Sequence, residues 1–309
     1  MTGAAAPARV VVVLGGDTRQ RAAATAALLS VSHPAGGGGR ALLLTPAPAA
    51  VDPALDTGED GAVEVRHDDP AGRVASFLSG DEVPCGPDGP DEWLAALATG
   101  GDSPLAATLC LEYARRAAGA GWWDTVVVEL DGEAAALRRL AAPTELAALV
   151  ERRWPAHRRY ASMAAGERAE PRVRAAHLVA GLAADVAGFL RGVGVHAVGP
   201  DAAALGEFAS LVVGRSSGTV EGDPASGYSF ALSLPSAPVG PVRVADERLR
   251  VPLEPLELAL ALPALLLRCV PGDATFGGAD PGRLVVRFDP DPELWPPSLV
   301  PDRAAPASG

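Results

Sequence analysis

The first two thirds of the chain alternate continuous apolar runs with alanine-rich stretches of helical spacing. Residues 10–14 form an unbroken run of valine and leucine, which is typical of a parallel strand buried on both faces. Residues 21–30 have the spacing of a helix, and a second apolar run begins at Ala41 after the glycines at 36–39. The order strand, turn, helix, strand predicts a βαβ unit. We therefore expect an α/β fold with a mostly parallel sheet and helices on both faces.

Further elements follow the same pattern. Ser103 followed by Pro104 has the character of an N-cap and first helical position. The apolar runs predict strands over residues 62–66 and 125–130. The helical spacing predicts helices over residues 73–79, 91–98, 103–118, 144–163 and 173–190.

The pattern changes after residue 214. Residues 215–227 are short of apolar side chains and rich in turn formers, which predicts a linker. Beyond it, short strand-like pieces broken by proline and glycine predict a small antiparallel β domain over residues 228–295. The α/β domain is then expected to cover residues 1–214, and residues 296–309 are expected to be a disordered tail.

Composition limits the location and the partners of this chain of 309 residues. The apolar run at 256–267 contains Glu257 and Pro263 and is too short to span a bilayer, so we expect no transmembrane segment. The N-terminus lacks the basic, apolar and cleavage regions of a signal peptide, which favours a cytoplasmic protein. A formal net charge of −12 argues against a nucleic-acid partner.

Cysteines and histidines give no sign of a metal site. Cys85, Cys110 and Cys269 are far apart and form no CxxC pair, so neither a disulfide framework nor a zinc site is expected. The five histidines are equally scattered.

No lysine occurs anywhere in the chain, even where a phosphate-binding loop would use one. Gly15 and Gly16 follow the first strand and precede the helix, as glycines do in a P-loop, but no lysine follows them. Asparagine and isoleucine are also absent, and the drift of a GC-rich, actinobacterial-type composition is an alternative explanation for the loss of lysine. Arginine is nevertheless a poor substitute for a catalytic P-loop lysine, because its planar fork differs from a compact ammonium. The sequence therefore predicts lost or greatly weakened ATP hydrolysis.

The segment 123–146, WDTVVVELDGEAAALRRLAAPTEL, resembles the switch segment of the ArsA-like ATPases, the arsenite-pump and tail-anchored-protein-targeting family. The spacing from Glu129 to Pro143 fits without a gap. Leu137, Arg138 and Leu140 stand at matching positions. The resemblance implies a P-loop-NTPase-like sheet for this part of the chain.

The resemblance also indicates which residues stand at the nucleotide positions. Glu129 takes the place of the strand-end aspartate that supports magnesium, and Asp131 and Glu133 lie in the turn that would sense the γ-phosphate. These carboxylates would repel a triphosphate. In the first loop Gly15 and Gly16 are kept, whereas Thr18 stands at the lysine position and Arg19 and Gln20 stand at the two hydroxyl positions. The loop is thus predicted to be a vestigial nucleotide site.

The C-terminal region is similar to the small-heat-shock-protein-like β domain of bacterial, especially actinobacterial, family members. Pro263, Leu265, residues 283–288 and Trp295 fit its pattern. Residues 163–214, where later sheet strands and an adenine-side motif are expected, look shortened.

The resemblance implies a non-hydrolysing pseudo-ATPase without a cofactor. Family members work as dimers or fused halves, so we expect a structural or regulatory subunit that forms a heterodimer with an intact paralogue, or a homodimer. Two alternatives remain open. An active ATP hydrolase would use Arg19 or Arg21 with ATP and carboxylate-bound Mg²⁺, whereas an adaptor would bind a protein client through its β domain.

Several of these residues also have simpler interpretations. Glu129, Asp131 and Glu133 would then form a solvated acidic turn, and Arg19 and Arg21 a solvated helix N-terminus. Arg138 is expected to make a local ion pair. Trp122 and Trp123 are interpreted as core or interface aromatics.

Overall fold

A computed structural model describes most of the chain. The described residues are 7–32, 39–51, 55, 62–79, 97, 103–164, 170–215, 219–223, 227–234, 237–245, 248–253, 256–261, 269–276 and 283–290. The chain divides into two compact units, Met1–Gly206 and Glu207–Gly309. The helix predicted at 91–98, apart from Leu97, and the tail predicted at 296–309 lie outside the described residues, as do Cys85, Pro263, Leu265 and Trp295.

The first unit is built on a five-stranded parallel sheet, which confirms the α/β prediction. Its strands lie in the order β3-β2-β4-β1-β5. Each strand of the central pair, β1 and β4, is almost entirely buried, which explains their unbroken apolar runs. The strands are β1 (Arg9–Gly15), β2 (Ala41–Thr45), β3 (Val63–His67), β4 (Thr125–Leu130) and β5 (Gly194–Val198).

Seven α-helices are described around and beyond this sheet. A single 3₁₀ turn, Pro48–Ala50, follows β2. Ser103 caps α3 as predicted, because its hydroxyl accepts a hydrogen bond from the Ala106 amide at 3.2 Å. The helices are α1 (Thr18–Ser32), α2 (Pro70–Leu78), α3 (Pro104–Gly119), α4 (Ala134–Arg153), α5 (Ala156–Ala164), α6 (Pro171–Leu190) and α7 (Ala202–Val212).

The helical prediction over residues 144–163 corresponds to two helices in the structure. Helix α4 begins earlier, at Ala134, and α5 ends at Ala164. The break falls at Trp154, whose φ of −134° and ψ of 77° are not helical. Pro155 follows it, and a proline disfavours helical geometry in the preceding residue and cannot donate an amide hydrogen bond.

Two clusters of buried apolar side chains hold this unit together. One joins α1 to the sheet and includes Val13, Leu29, Leu43 and Val127. The other joins four helices, α2, α3, α4 and α6, through residues such as Leu105, Leu146 and Val179.

Helix α6 is rich in apolar residues, although it also carries Arg172, Arg174 and Asp185. Among the described helices it alone is long and apolar enough, by length and composition, to cross a membrane. Four of its buried residues, however, belong to the cluster shared with α2, α3 and α4: Ala175, Ala176, Val179 and Ala183. A core helix passes the same test of length and composition, and the packing of α6 fits that description.

The strand order creates a crevice at the centre of the sheet. Strands β1 and β4 are neighbours, but β1 connects toward one edge of the sheet, to β2, and β4 connects toward the other edge, to β5. In open α/β sheets, ligands bind at the carboxyl ends of the strands where the connections diverge in this way. The turns that follow Gly15 and Leu130 are therefore the candidate location of a binding site.

The second unit contains two antiparallel sheets. One has the order β11-β12-β7-β6 and the other β10-β9-β8. Phe230, Leu249, Val251 and Phe288 are among the residues of its buried core. The strands are β6 (Thr219–Asp223), β7 (Gly227–Ser233), β8 (Arg243–Ala245), β9 (Arg248–Leu253), β10 (Leu256–Ala261), β11 (Cys269–Phe276) and β12 (Arg283–Pro290).

The predicted linker over residues 215–227 contains a β-strand. Strand β6, Thr219–Asp223, lies inside it and pairs with β7.

Candidate functional site

The turn between β1 and α1 is short and tightly packed. Only Gly16 and Asp17 lie between the end of β1 and the start of α1. Gly15 and Gly16 have positive φ values of 83° and 57°. A Cβ on Gly15 would lie 2.6 Å from the carbonyl oxygen of Val198 and 2.4 Å from a methyl carbon of Leu205. A P-loop places more residues between strand and helix, so that several backbone amides surround the phosphate.

We expect Gly15→Ala to lower the free energy of unfolding of the α/β unit by about 2–4 kcal/mol. A side chain at this φ is strained, and the backbone oxygen of Val198 leaves no room for the new methyl group. Urea unfolding followed by tryptophan fluorescence measures the loss. The matched control is Gly181→Ala in α6, where an added Cβ meets nothing within 4 Å. A Gly15→Ala variant as stable as this control would contradict the packing of the turn.

The N-terminus of α1 is closed by a reciprocal pair of hydrogen bonds. The Asp17 carboxylate accepts from the Gln20 amide at 2.8 Å, and the Gln20 side-chain oxygen accepts from the Asp17 amide at 2.9 Å. This arrangement is a capping box, in which Gln20 acts as a cap rather than at a magnesium-binding hydroxyl position. The carboxylate of Asp17 also supplies the negative charge that a helix N-terminus favours.

Arg21 fills the inside of the turn. Its Nη1 donates to the carbonyl oxygens of Gly16 at 2.8 Å and Gly15 at 3.3 Å. Its Nη2 donates to the Thr18 hydroxyl at 3.4 Å and forms a short ion pair with the Asp131 carboxylate. The Arg21 side chain is 3% exposed, whereas that of Asp131 is 66% exposed. The interpretation of Arg21 as part of a solvated helix N-terminus is therefore wrong, because the residue faces the end of the sheet.

Glu129, near the end of β4, is buried among hydroxyl groups. The Thr25 hydroxyl of α1 donates to its Oε1 at 2.7 Å, and the Thr45 hydroxyl of β2 donates to its Oε2 at 2.5 Å. Thr45 in turn accepts from the Ala47 amide at 3.1 Å. The solvated-turn interpretation is therefore wrong for Glu129, since it is 6% exposed. Each carboxylate oxygen already has a partner within the fold.

The other predicted residues lie around this centre with different exposures. Arg19, Glu133 and Arg138 are exposed, and so is Asp131 apart from its contact with Arg21. Trp123 is buried beneath the Arg40 guanidinium at 4.9 Å, whereas Trp122 is 70% exposed. The structure thus brings Gly15, Gly16 and Thr18 together around Arg21. Gln20 instead caps α1 through Asp17, and Glu129 bonds to Thr25 and Thr45 without a contact to Arg21 among the described hydrogen bonds.

A buried acidic group at the end of β3 was missed by the sequence analysis. Asp68 is 4% exposed and lies 3.4 Å from the Arg73 Nε and 3.6 Å from Arg139 Nη1. Its amide donates to the Thr45 carbonyl at 3.0 Å. Asp68 therefore links α2 and α4 to the carboxyl end of the sheet, where Glu129 also lies. A pair of aspartates directly after a strand and before Pro70 was the available signal.

The neighbouring thiol and the acidic groups do not assemble a metal centre. Burial and then Asp68 raise the pKa of the Cys110 thiol, which keeps it protonated at neutral pH. Across the described ranges, no group of three or more His, Cys, Asp or Glu residues is placed to hold a metal ion.

Comparisons with known proteins identify no family for the chain. No protein-family model matches the chain, and no curated protein matches it significantly. The fold and the site define an α/β protein with a five-stranded parallel sheet, whose candidate site lies where β1 and β4 end side by side.

Proposed function

We propose that the α/β unit is a P-loop-NTPase-like domain of the ArsA-like type that no longer hydrolyses ATP and serves as a structural or regulatory partner subunit. The observation that carries the proposal is the position of Arg21. Its guanidinium occupies the turn where a phosphate would have to enter, and Asp131 closes the outer side.

The charges of the turn also oppose a triphosphate. A phosphate loop presents amide groups, whereas here two carbonyl oxygens point at a buried cation. Asp17 and Asp131 place two carboxylates at this turn, and a third, Glu129, is buried against Thr25 of α1. Each missing charge-assisted bond removes about 1.5–3 kcal/mol of binding. Two such losses weaken binding roughly a hundredfold or more.

The partner role follows from the resemblance of the switch segment. In the ArsA-like family the nucleotides lie at a face shared by two copies or two fused halves. A chain whose own site is filled by Arg21 would complete that face without turning over ATP. This role requires an intact, lysine-containing paralogue, and it leaves the second unit available to contact a client.

We expect the purified chain to form a stoichiometric complex with an intact ArsA-like paralogue from the same genome. Size-exclusion chromatography with light scattering measures the complex, and phosphate release measures turnover. The chain alone is expected to release no phosphate. The rate of phosphate release by the complex is expected to differ from the rate of the paralogue alone. A complex made with a paralogue lacking its P-loop lysine is the control and is expected to be inactive. Magnesium-dependent turnover by the chain alone would contradict the proposal.

A further inference from the structure

A groove on the α/β unit lies apart from Arg21, Glu129 and Asp131. It has a volume of about 760 Å³ and is lined by α2, α3, α6 and the end of β3. This volume is within the range of small-molecule sites. One wall is apolar and consists of Phe77, Leu109, Leu178 and Leu182.

Arg73 also lines the groove, and two contacts hold its side chain. Its guanidinium stacks on the ring of Tyr113, 3.8 Å from the ring centre. Its Nε faces Asp68 at 3.4 Å. Among the residues that the structure describes, the two terminal nitrogens of Arg73 have no hydrogen-bond partner. A guanidinium held by stacking presents these two donors as a planar fork, which matches a carboxylate.

Two of the three acidic residues that line the groove, Glu112 and Asp69, are engaged in hydrogen bonds. Glu112 accepts hydrogen bonds from Arg115 at 2.6 and 2.8 Å and from Arg116 at 2.7 Å. Burial favours its neutral form most strongly, but these arginines together outweigh burial and hold the pKa of Glu112 below its usual value. Asp69 accepts from the Gly72 amide at 2.9 Å and caps α2. Asp185 stays exposed at the rim, near Arg115.

Arg66 completes the basic side of the groove without offering a comparable fork. Its Nε makes a short ion pair with Glu64, and its Nη1 donates to the Tyr113 hydroxyl. Arg66 thereby fixes Tyr113, which in turn orients Arg73. Arg116, which also lines the groove, contacts Glu112 through its Nε and, in the part of the chain that the structure describes, likewise leaves its terminal nitrogens open, but its side chain is 68% exposed. The side chain of Arg73 is 18% exposed and is held against Tyr113, so its fork is the better shielded of the two.

We propose that this groove binds a small amphipathic carboxylate. The carboxylate pairs with the terminal nitrogens of Arg73, and the apolar or aromatic body packs against Phe77, Leu178 and Leu182. The proposal rests on this groove alone and does not depend on the loss of ATP hydrolysis.

Calorimetric titration with 4-phenylbutyrate tests the proposal, with 4-phenylbutan-1-ol as the uncharged probe of the same body. We expect the carboxylate to bind with a Kd of about 1 mM or lower and the alcohol to bind at least about tenfold more weakly. Equal binding of the two probes, or no binding of the carboxylate at about 10 mM, would overturn the proposal.

Two variants locate the binding on the chain. Ser76 is exposed and lines the groove, so Ser76→Asp adds a repelling charge without disturbing the core, and Ser76→Asn is its neutral control. We expect about tenfold weaker carboxylate binding for Ser76→Asp and less than about twofold change for Ser76→Asn. Arg73→Lys keeps a positive charge beside Asp68 but removes the fork, and a loss of about tenfold is expected. Unchanged binding in Ser76→Asp or in Arg73→Lys would overturn the proposal.

Discussion

Replacing Glu129 with leucine is expected to lower the free energy of unfolding of the α/β unit by about 2–4 kcal/mol. The variant leaves the buried hydroxyls of Thr25 and Thr45 without the acceptors that they now have. Burying a polar group without its partner costs more than the net contribution of the hydrogen bond itself. Urea unfolding followed by tryptophan fluorescence, with circular dichroism as a second probe, measures the effect.

The matched variant replaces all three partners. Glu129→Leu combined with Thr25→Val and Thr45→Val removes the acceptor together with both donors, and valine approximates the shape of threonine. We expect this triple variant to recover most of the loss, to within about 1 kcal/mol of the original chain. A triple variant no more stable than Glu129→Leu alone would show that the threonine hydroxyls do not account for the stability that Glu129 provides.

Replacing Arg21 with methionine is expected to cost about 2–4 kcal/mol of unfolding free energy. The guanidinium is buried and satisfies the carbonyl oxygens of Gly15 and Gly16, which methionine cannot do. The ion pair with Asp131 adds little, because the Asp131 carboxylate is 66% exposed and its charge is screened by solvent. Chemical unfolding of the purified variant measures this loss of unfolding free energy.

Asp131→Asn is the control that separates the two contacts of Arg21. It keeps the buried guanidinium in the turn and removes only the exposed charge, so a loss of about 1 kcal/mol or less is expected. If Asp131→Asn destabilised the chain as much as Arg21→Met, the ion pair rather than the carbonyl contacts would hold the turn.

Local patterns predicted the scaffold because each pattern is contained in one short stretch of chain. The unbroken apolar runs of β1, β2 and β4 report burial on both faces of a parallel sheet. The cap of α3 is a contact between residues three positions apart, Ser103 and Ala106. The position of the break before Pro155 did not follow from periodicity, because only the backbone chemistry of proline interrupts the helix there.

The chemistry of the site was only partly predictable, since it depends on contacts across the sheet. The positions of Gly15, Gly16 and Glu129 at the ends of two central strands followed from their spacing and from the family resemblance. The partners of Glu129 did not, because Thr25 and Thr45 are 104 and 84 residues away in sequence. Arg21 looked solvated for the same reason, as its carboxylate partner is 110 residues distant.

The groove beside Arg73 also depends on contacts between residues that are far apart in sequence. Arg73, Tyr113 and Leu182 belong to three helices that are well separated in sequence. Each helix was predicted in part, but periodicity within one helix does not show which side chains of the others it meets. The orientation of the guanidinium on the aromatic ring appears only in the packed structure.

Titration of the purified chain with ATP and with ADP, each with and without Mg²⁺, is the most direct test of the filled turn. Calorimetry measures the heat of binding, and circular dichroism confirms that the sample is folded. Because Arg21 and Asp131 fill the turn where, under the proposed function, a phosphate would enter, the chain is predicted to bind neither nucleotide at about 1 mM. Magnesium-dependent binding at about 10 μM or tighter would contradict the account and identify the turn as a working nucleotide site.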